Sequence, residues 1–196
     1  MMKESNLYKL LRPLAKLYVH IFVRPTYYGL ENIPKTGKAL LVGTHLNSTD
    51  SLLLMSTTKR PIHFLAKKEL WKFPKVLLMG HMGLIKVDRD NKSPESLIEA
   101  KKYLDDDKVV LIFPEGTLEK DDNKILPLKI GAFKLAYDTN TPIIPFATKG
   151  VYYKKGLSIK FGKPIIISSD LEKEKDNFVQ ILKDLRKWLY EDANTI

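Results

Sequence analysis

The spacing of apolar residues divides the chain into short stretches of strand-like and helix-like character. Residues 38–44 form a brief apolar run with no helical period, which predicts a buried strand. Runs at 62–66, 83–87 and 109–113 read the same way, and the last, Val109 to Phe113, is the clearest. Residues 143–148 also predict a strand, but Pro142 and Pro145 make it irregular or place it at an edge, because proline cannot donate to a ladder. Residues 157–161 and 164–167 complete the strand candidates. Between them, 69–80 predicts a short helix starting near Trp71 or Pro74, and 50–58, 94–105, 129–138 and 171–190 predict helices. In the last of these Phe178, Ile181, Leu182, Leu185 and Leu189 share one face. Residues 4–24 predict an amphipathic helix, with Leu7, Leu10, Leu11, Leu14, Leu17, Tyr18 and Ile21 at spacings of three and four. Lys9, Arg12, Lys16 and His20 lie largely between them, and Pro13 is expected to kink or divide the helix.

Strands alternating with helices predict an α/β fold: a single domain with a mostly buried mixed sheet flanked by helices. Residues 1–25 are expected to be an amphipathic, membrane-associating helical segment, and 26–196 the domain proper. The 196 residues suffice for one sizeable core.

Composition narrows the chemistry. There is no cysteine, which excludes disulfides, thiolate catalysis and zinc–thiolate sites. A formal net charge of +10 points to an anionic partner. Zinc-finger spacing, an aromatic–basic sheet motif and a basic heptad region are all missing, so nucleic acid is not the expected partner. A membrane surface or an acidic carrier fits better. Charged residues interrupt the N-terminal apolar stretch, so neither a signal peptide nor a membrane span is expected there.

Four segments carry candidate chemistry. His45 follows a predicted strand, and Asp50 lies five residues on. In one continuous helix the two side chains would diverge, so they meet only if His45 sits in a loop and Asp50 at the helix start. Ser48, Thr49 or Asp50 can cap that helix. Asp50 can then fix the imidazole tautomer while the other ring nitrogen takes a proton from a hydroxyl. Taken alone, Asp50 could be only a cap and His45 only a loop residue. The strand at 83–87 delivers Asp88 and Arg89 to its end, and a guanidinium suits phosphate. In Phe113–Thr117, backbone amides of Gly116 and Thr117 can approach a phosphate or carbonyl oxygen, and Glu115 can position a hydroxyl or hold Arg89. Residues 141–147 are apolar and proline-bounded, a wall for a hydrocarbon chain or simply core. The acidic run Asp105–Asp107 reads as a solvated turn, since three consecutive residues cannot converge on a metal.

In this order, these segments resemble the motifs of the glycerolipid acyltransferases, a family that includes 1-acylglycerol-3-phosphate and glycerol-3-phosphate acyltransferases. The His-x-x-x-x-Asp pair is His45 and Asp50; Gly83, Ile85 and Arg89 match a second motif; Phe113–Thr117 is a third, complete. Pro142, Ile143 and Pro145 match the fourth, and 64–70 resembles the segment between the first two. Thr44, Asn47, Lys86 and Leu118 depart from common residues of the family. The resemblance implies acyl transfer to a hydroxyl, with His45 as general base and Asp50 as its partner. It implies acceptor phosphate held by Arg89, by Lys67 or its neighbour Lys68, and by the loop of Glu115, Gly116 and Thr117.

No metal or cofactor is implied; acyl-CoA or acyl carrier protein enters as thioester co-substrate. The acceptor expected is 1-acylglycerol 3-phosphate, giving phosphatidate for phospholipid biosynthesis. Glycerol 3-phosphate, another lysophospholipid or a lyso-aminolipid is an alternative, as is a non-catalytic lipid-surface binding protein. The expected location is peripheral or monotopic on the cytoplasmic face of the membrane, against an anionic surface.

Overall fold

The computed structural model describes residues 6–71, 82–88, 94–121, 123–154 and 156–193. Seven strands build one sheet: β1 (Thr26–Tyr28), β2 (Ala39–Gly43), β3 (Ile62–Lys67), β4 (Ile85–Val87), β5 (Val109–Ile112), β6 (Ile143–Lys149) and β7 (Ser158–Phe161). Their order is β1-β7-β6-β2-β5-β3-β4. Every pairing is parallel except β6 with β7, so the sheet is mixed, as expected. The helices are α1 (Asn6–Tyr18), α2 (Asp50–Thr57), α3 (Glu95–Asp105), α4 (Gly131–Thr139) and α5 (Leu171–Ala193).

β2 and β5 are apolar at nearly every position because both of their faces are covered. Leu41, Val109, Leu111 and Ile144 pack on one side against Leu53 and Leu54 of α2. Leu40, Val42, Val110 and Ile112 pack on the other against Ala100, Leu104, Phe133 and Leu182, from α3, α4 and α5. At about 25 cal/mol per Å² of apolar area removed from water, these layers are the main source of stability. Because β2, β3, β4 and β5 are parallel, their carboxyl ends emerge at one edge. Three motifs separated in sequence therefore end beside one another.

β6 is not at the edge. It runs between β2 and β7 in spite of Pro145. The register explains how. Phe146 pairs with Phe161, whereas Ile143 bridges Ile165, so one extra residue is inserted opposite Pro145. The Gly162 amide donates to the Pro145 oxygen at 2.8 Å, and the missing proline N–H falls at this bulge. The expected strand at 164–167 reduces to that bridge at Ile165, and β1 adds a strand not expected from the sequence.

α1 runs through Pro13 instead of dividing there, and a wide turn, Val19–Val23, extends it. Buried residues on both sides of the proline, Tyr8 and Val19, hold the two halves to the domain. Tyr8 joins Met55, Ala66, Met82 and Leu84 in a third cluster, so this segment shares a core with the rest. Its remaining apolar residues split away: Leu10, Leu14, Leu17, Ile21 and Phe22 face outward. A short turn covers Lys68–Trp71, and the short helix expected to start near Trp71 or Pro74 lies outside the described residues.

Candidate active site

β2 ends on Gly43, where a Cβ would fall 2.1 Å from the Phe146 backbone oxygen. Glycine alone allows that approach to β6. Thr44 Oγ1 then accepts the Thr148 amide at 3.1 Å and pins the strand end. His45 leaves the sheet, and Asp50 opens α2, the strand–loop–helix arrangement the pair requires. His45 Nδ1 and Asp50 Oδ2 are 2.8 Å apart. Oδ2 also accepts the amides of Leu46 at 2.8 Å and Asn47 at 3.0 Å, and Oδ1 accepts the Tyr152 hydroxyl. Asp50 is fully buried. Its carboxylate thus organises the loop before it and does not cap α2. Thr49, at the N-cap position, makes no capping side-chain bond; its own amide donates to Asn47 Oδ1 at 3.0 Å.

With Nδ1–H donated to a carboxylate, the neutral ring carries its lone pair on Nε2. The imidazole is stacked on the Phe113 ring, centroids 3.8 Å apart and planes within 11°. The Glu119 amide donates to the His45 carbonyl at 2.8 Å, which ties the loop after β5 to the loop after β2. His45 is thereby held by its ring face, one ring nitrogen and its backbone.

Phe113–Thr117 makes a tight turn, with the Gly116 amide on the Phe113 oxygen at 3.0 Å. Gly116 has φ +70°, and a Cβ there would lie 2.7 Å from Lys129 Nζ. The turn therefore brings an ammonium over its own backbone. Glu115 occupies a different place from the one expected. It is buried, accepts the Leu126 amide at 3.2 Å, and is not part of the cavity wall. Burial pushes its carboxyl above the ordinary carboxylate value; the Leu126 amide, the Arg186 charge and the His45 backbone pull it partly back. It braces the loop from behind.

A cavity of about 590 Å³ opens beside His45. Its lining is apolar at Phe64, Leu65, Ala66, Val87, Leu97 and Ala132 and charged at Lys67, Lys129, Glu69 and Asp88, with Gly116 and Thr117 contributing the loop after β5. Lys68 is paired with Asp88 at 2.8 Å, which leaves Lys67 as the nearer match to the expected cation. Arg89 lies outside the described residues. Residues 143–148 are buried sheet interior and no part of this cavity, so the apolar wall comes from β3, β4, α3 and α4 instead.

Three features escaped the sequence. Tyr152 sits 102 positions from Asp50, with no motif to mark it. The stacking role of Phe113 depends on the proximity of β2 and β5. Lys129 carries a weak signal, preceding a glycine at the start of a helix, but only the fold puts it over Gly116.

The family model described as acyltransferase matches residues 24–149. A 1-acyl-sn-glycerol-3-phosphate acyltransferase of Borreliella burgdorferi is 32% identical over 170 residues, covering 80% of this chain and 67% of that protein. The Bacillus subtilis protein of the same name is 32% identical over 146 residues, covering 74% and 72%. The crystal structure of the 1-acyl-sn-glycerophosphate acyltransferase PlsC from Thermotoga maritima superposes with a TM-score of 0.76 at 23% identity. That match covers 97% of this chain and 84% of that one, and bears on the fold.

Proposed function

The chain belongs to the acyltransferase family, and from that premise we propose that it is a 1-acylglycerol-3-phosphate acyltransferase. It moves a fatty acyl group from a thioester to the free hydroxyl of lysophosphatidate. The observation that carries this reading is the buried Asp50 bonded to His45 Nδ1, with the imidazole lining a largely apolar cavity whose wall also holds Lys67 and Lys129.

The acceptor phosphate lies against Lys67, Lys129 and the Thr117 amide, while the Gly116 amide, engaged on the Phe113 oxygen, shapes the turn and does not reach it; Arg89 joins them as its motif implies. His45 Nε2 takes the hydroxyl proton as the oxygen attacks the thioester carbonyl. The imidazolium so formed is stabilised by Asp50. The tetrahedral intermediate expels the thiolate, which recovers the proton from the ring. No covalent acyl-enzyme is needed, so atoms and charge balance within one transfer. Hydrocarbon of donor or acceptor fits the region lined by Phe64, Leu65 and Leu97.

The outward face of α1 supports a place at the lipid surface. Leu10, Leu14, Leu17 and Phe22 are 68%, 59%, 56% and 58% exposed, and Lys9, Lys16 and Arg24 accompany them on the surface. Such a helix suits the interface of an anionic, cytoplasm-facing leaflet. Among the described residues no helix is long and apolar enough to cross a membrane.

An acceptor panel tests the reading. The protein is given labelled oleoyl-CoA or oleoyl carrier protein with lysophosphatidate, glycerol 3-phosphate or lysophosphatidylcholine in mixed micelles. Phosphatidate as the dominant product supports the assignment, and the better donor identifies the co-substrate. Turnover of glycerol 3-phosphate alone would refute the acceptor.

A further inference from the structure

The segment between β6 and β7 folds over the start of α2. Its backbone is unusual: Gly150, Tyr153 and Gly156 all have positive φ, at +100°, +64° and +95°. A Cβ on Gly150 would fall 2.5 Å from the Gly156 oxygen, so the two limbs of the loop close tightly on one another. A bulky residue at positive φ is costly and persists only where its surroundings demand it. Here the demand is visible. Tyr153 donates to or accepts from Thr49 Oγ1 at 2.8 Å, and Tyr18 donates to it at 3.1 Å. Tyr152 turns the other way, is 7% exposed, and donates to Asp50 Oδ1. The loop is therefore fastened to adjacent residues, Thr49 and Asp50, by adjacent tyrosines.

We propose that Tyr152 is a positioning residue for acyl transfer, fixing the plane of the Asp50 carboxylate so that Oδ2 aims at His45 Nδ1. Oδ2 is already held by three N–H groups of its own loop. A carboxylate fastened at one oxygen can still pivot about it. A donor on Oδ1 removes that freedom, and with it the freedom of the imidazole to tilt Nε2 away from the substrate hydroxyl. Geometry held this tightly is what proton transfer requires. Burial, reinforced by the neighbouring carboxylate, holds the Tyr152 phenol well above its ordinary value, so it stays a donor throughout the working pH range.

The role rests on the acyl-transfer reading, and one experiment separates the two. Wild type, Tyr152→Phe, Tyr27→Phe and His45→Ala are compared with lysophosphatidate and an oleoyl thioester across pH. Tyr27 is the control: it lies near Tyr152, but its hydroxyl bonds Ser56 Oγ at 2.6 Å and not Asp50, so its loss is a comparable injury to the same neighbourhood. In Tyr152→Phe, kcat falls about tenfold or more, on the scale of a lost hydrogen bond to a charged group, while both KM values stay within about twofold. Its rate profile against pH departs from that of wild type, because the carboxylate that partners the imidazole is no longer held at both oxygens. Tyr27→Phe loses thermal stability but keeps the wild-type profile. A Tyr152→Phe enzyme with wild-type kcat and profile overturns the proposal, as does an equal change in Tyr27→Phe. A His45→Ala protein as active as wild type sinks the acyl-transfer mechanism itself.

Discussion

Replacing Asp50 by Asn separates the charge of this carboxylate from its geometry. The amide oxygen can take the place of Oδ2 and keep the bonds from His45 Nδ1, Leu46 and Asn47. The amide nitrogen then faces Tyr152, whose hydroxyl can turn to accept. Each polar heavy atom of this group keeps at least one partner, so the fold should lose only about 1–2 kcal/mol as charge-assisted bonds become neutral ones. For a protein of this size that is a fall of about 2–8 °C in Tm. Catalysis loses far more. Two unit charges about 4 Å apart at an effective dielectric of about 20 attract by about 4 kcal/mol. That attraction appears only when the ring becomes imidazolium, so it favours the transition state over the ground state. Its loss corresponds to about a thousandfold in kcat. Initial rates with lysophosphatidate and an oleoyl thioester, alongside thermal denaturation, read both effects. A variant within tenfold of wild-type kcat and of near-native Tm would show that the charge contributes little, and would refute the reasoning.

Further outcomes follow from other parts of the molecule. Changing Leu14 and Leu17 to Asp removes two half-exposed leucines, each worth about 1 kcal/mol on burial in lipid, and adds charge that anionic headgroups repel. Co-sedimentation with vesicles containing anionic lipid should weaken at least tenfold while the melting curve is retained; undiminished binding would contradict the membrane face. Glu115→Gln should stabilise the protein near neutral pH. The folded carboxyl is raised above its ordinary value of 4.5, so the unfolded chain loses its proton first as pH rises, and wild-type stability falls across that window. Urea titrations of both proteins from about pH 4 to about pH 8 should show the variant's advantage vanish at the acid end; a pH-independent difference would be the wrong result.

Much of this was legible in the sequence, for local reasons. β2 and β5 are continuous apolar runs because both faces are buried, and such runs stand out without an alignment. His45 and Asp50 needed only a strand, a loop and a helix start in succession. What stayed hidden was long-range. Pro145 argued for an irregular or edge strand; the strand is interior, and the irregularity is a one-residue bulge in its partner that absorbs the missing donor. The apolar stripe of α1 read as a single face, but the domain takes Leu7, Tyr8 and Leu11 and leaves Leu10, Leu14 and Leu17 outside. Residues 141–147 taken alone read more readily as core than as a pocket wall, and sheet order bears out core. Tyr152 could not be found at all, because its partner follows a neighbouring strand 102 positions earlier and its loop has no regular period.

The central claim is that His45 is the base for acyl transfer to lysophosphatidate. It is tested most directly by the rate of phosphatidate formation in wild type and His45→Ala, at saturating donor and acceptor and with folding checked by circular dichroism. Wild type should produce phosphatidate steadily, and the fully folded variant should lose about a thousandfold or more. A folded His45→Ala protein that still makes phosphatidate within tenfold of the wild-type rate would contradict it.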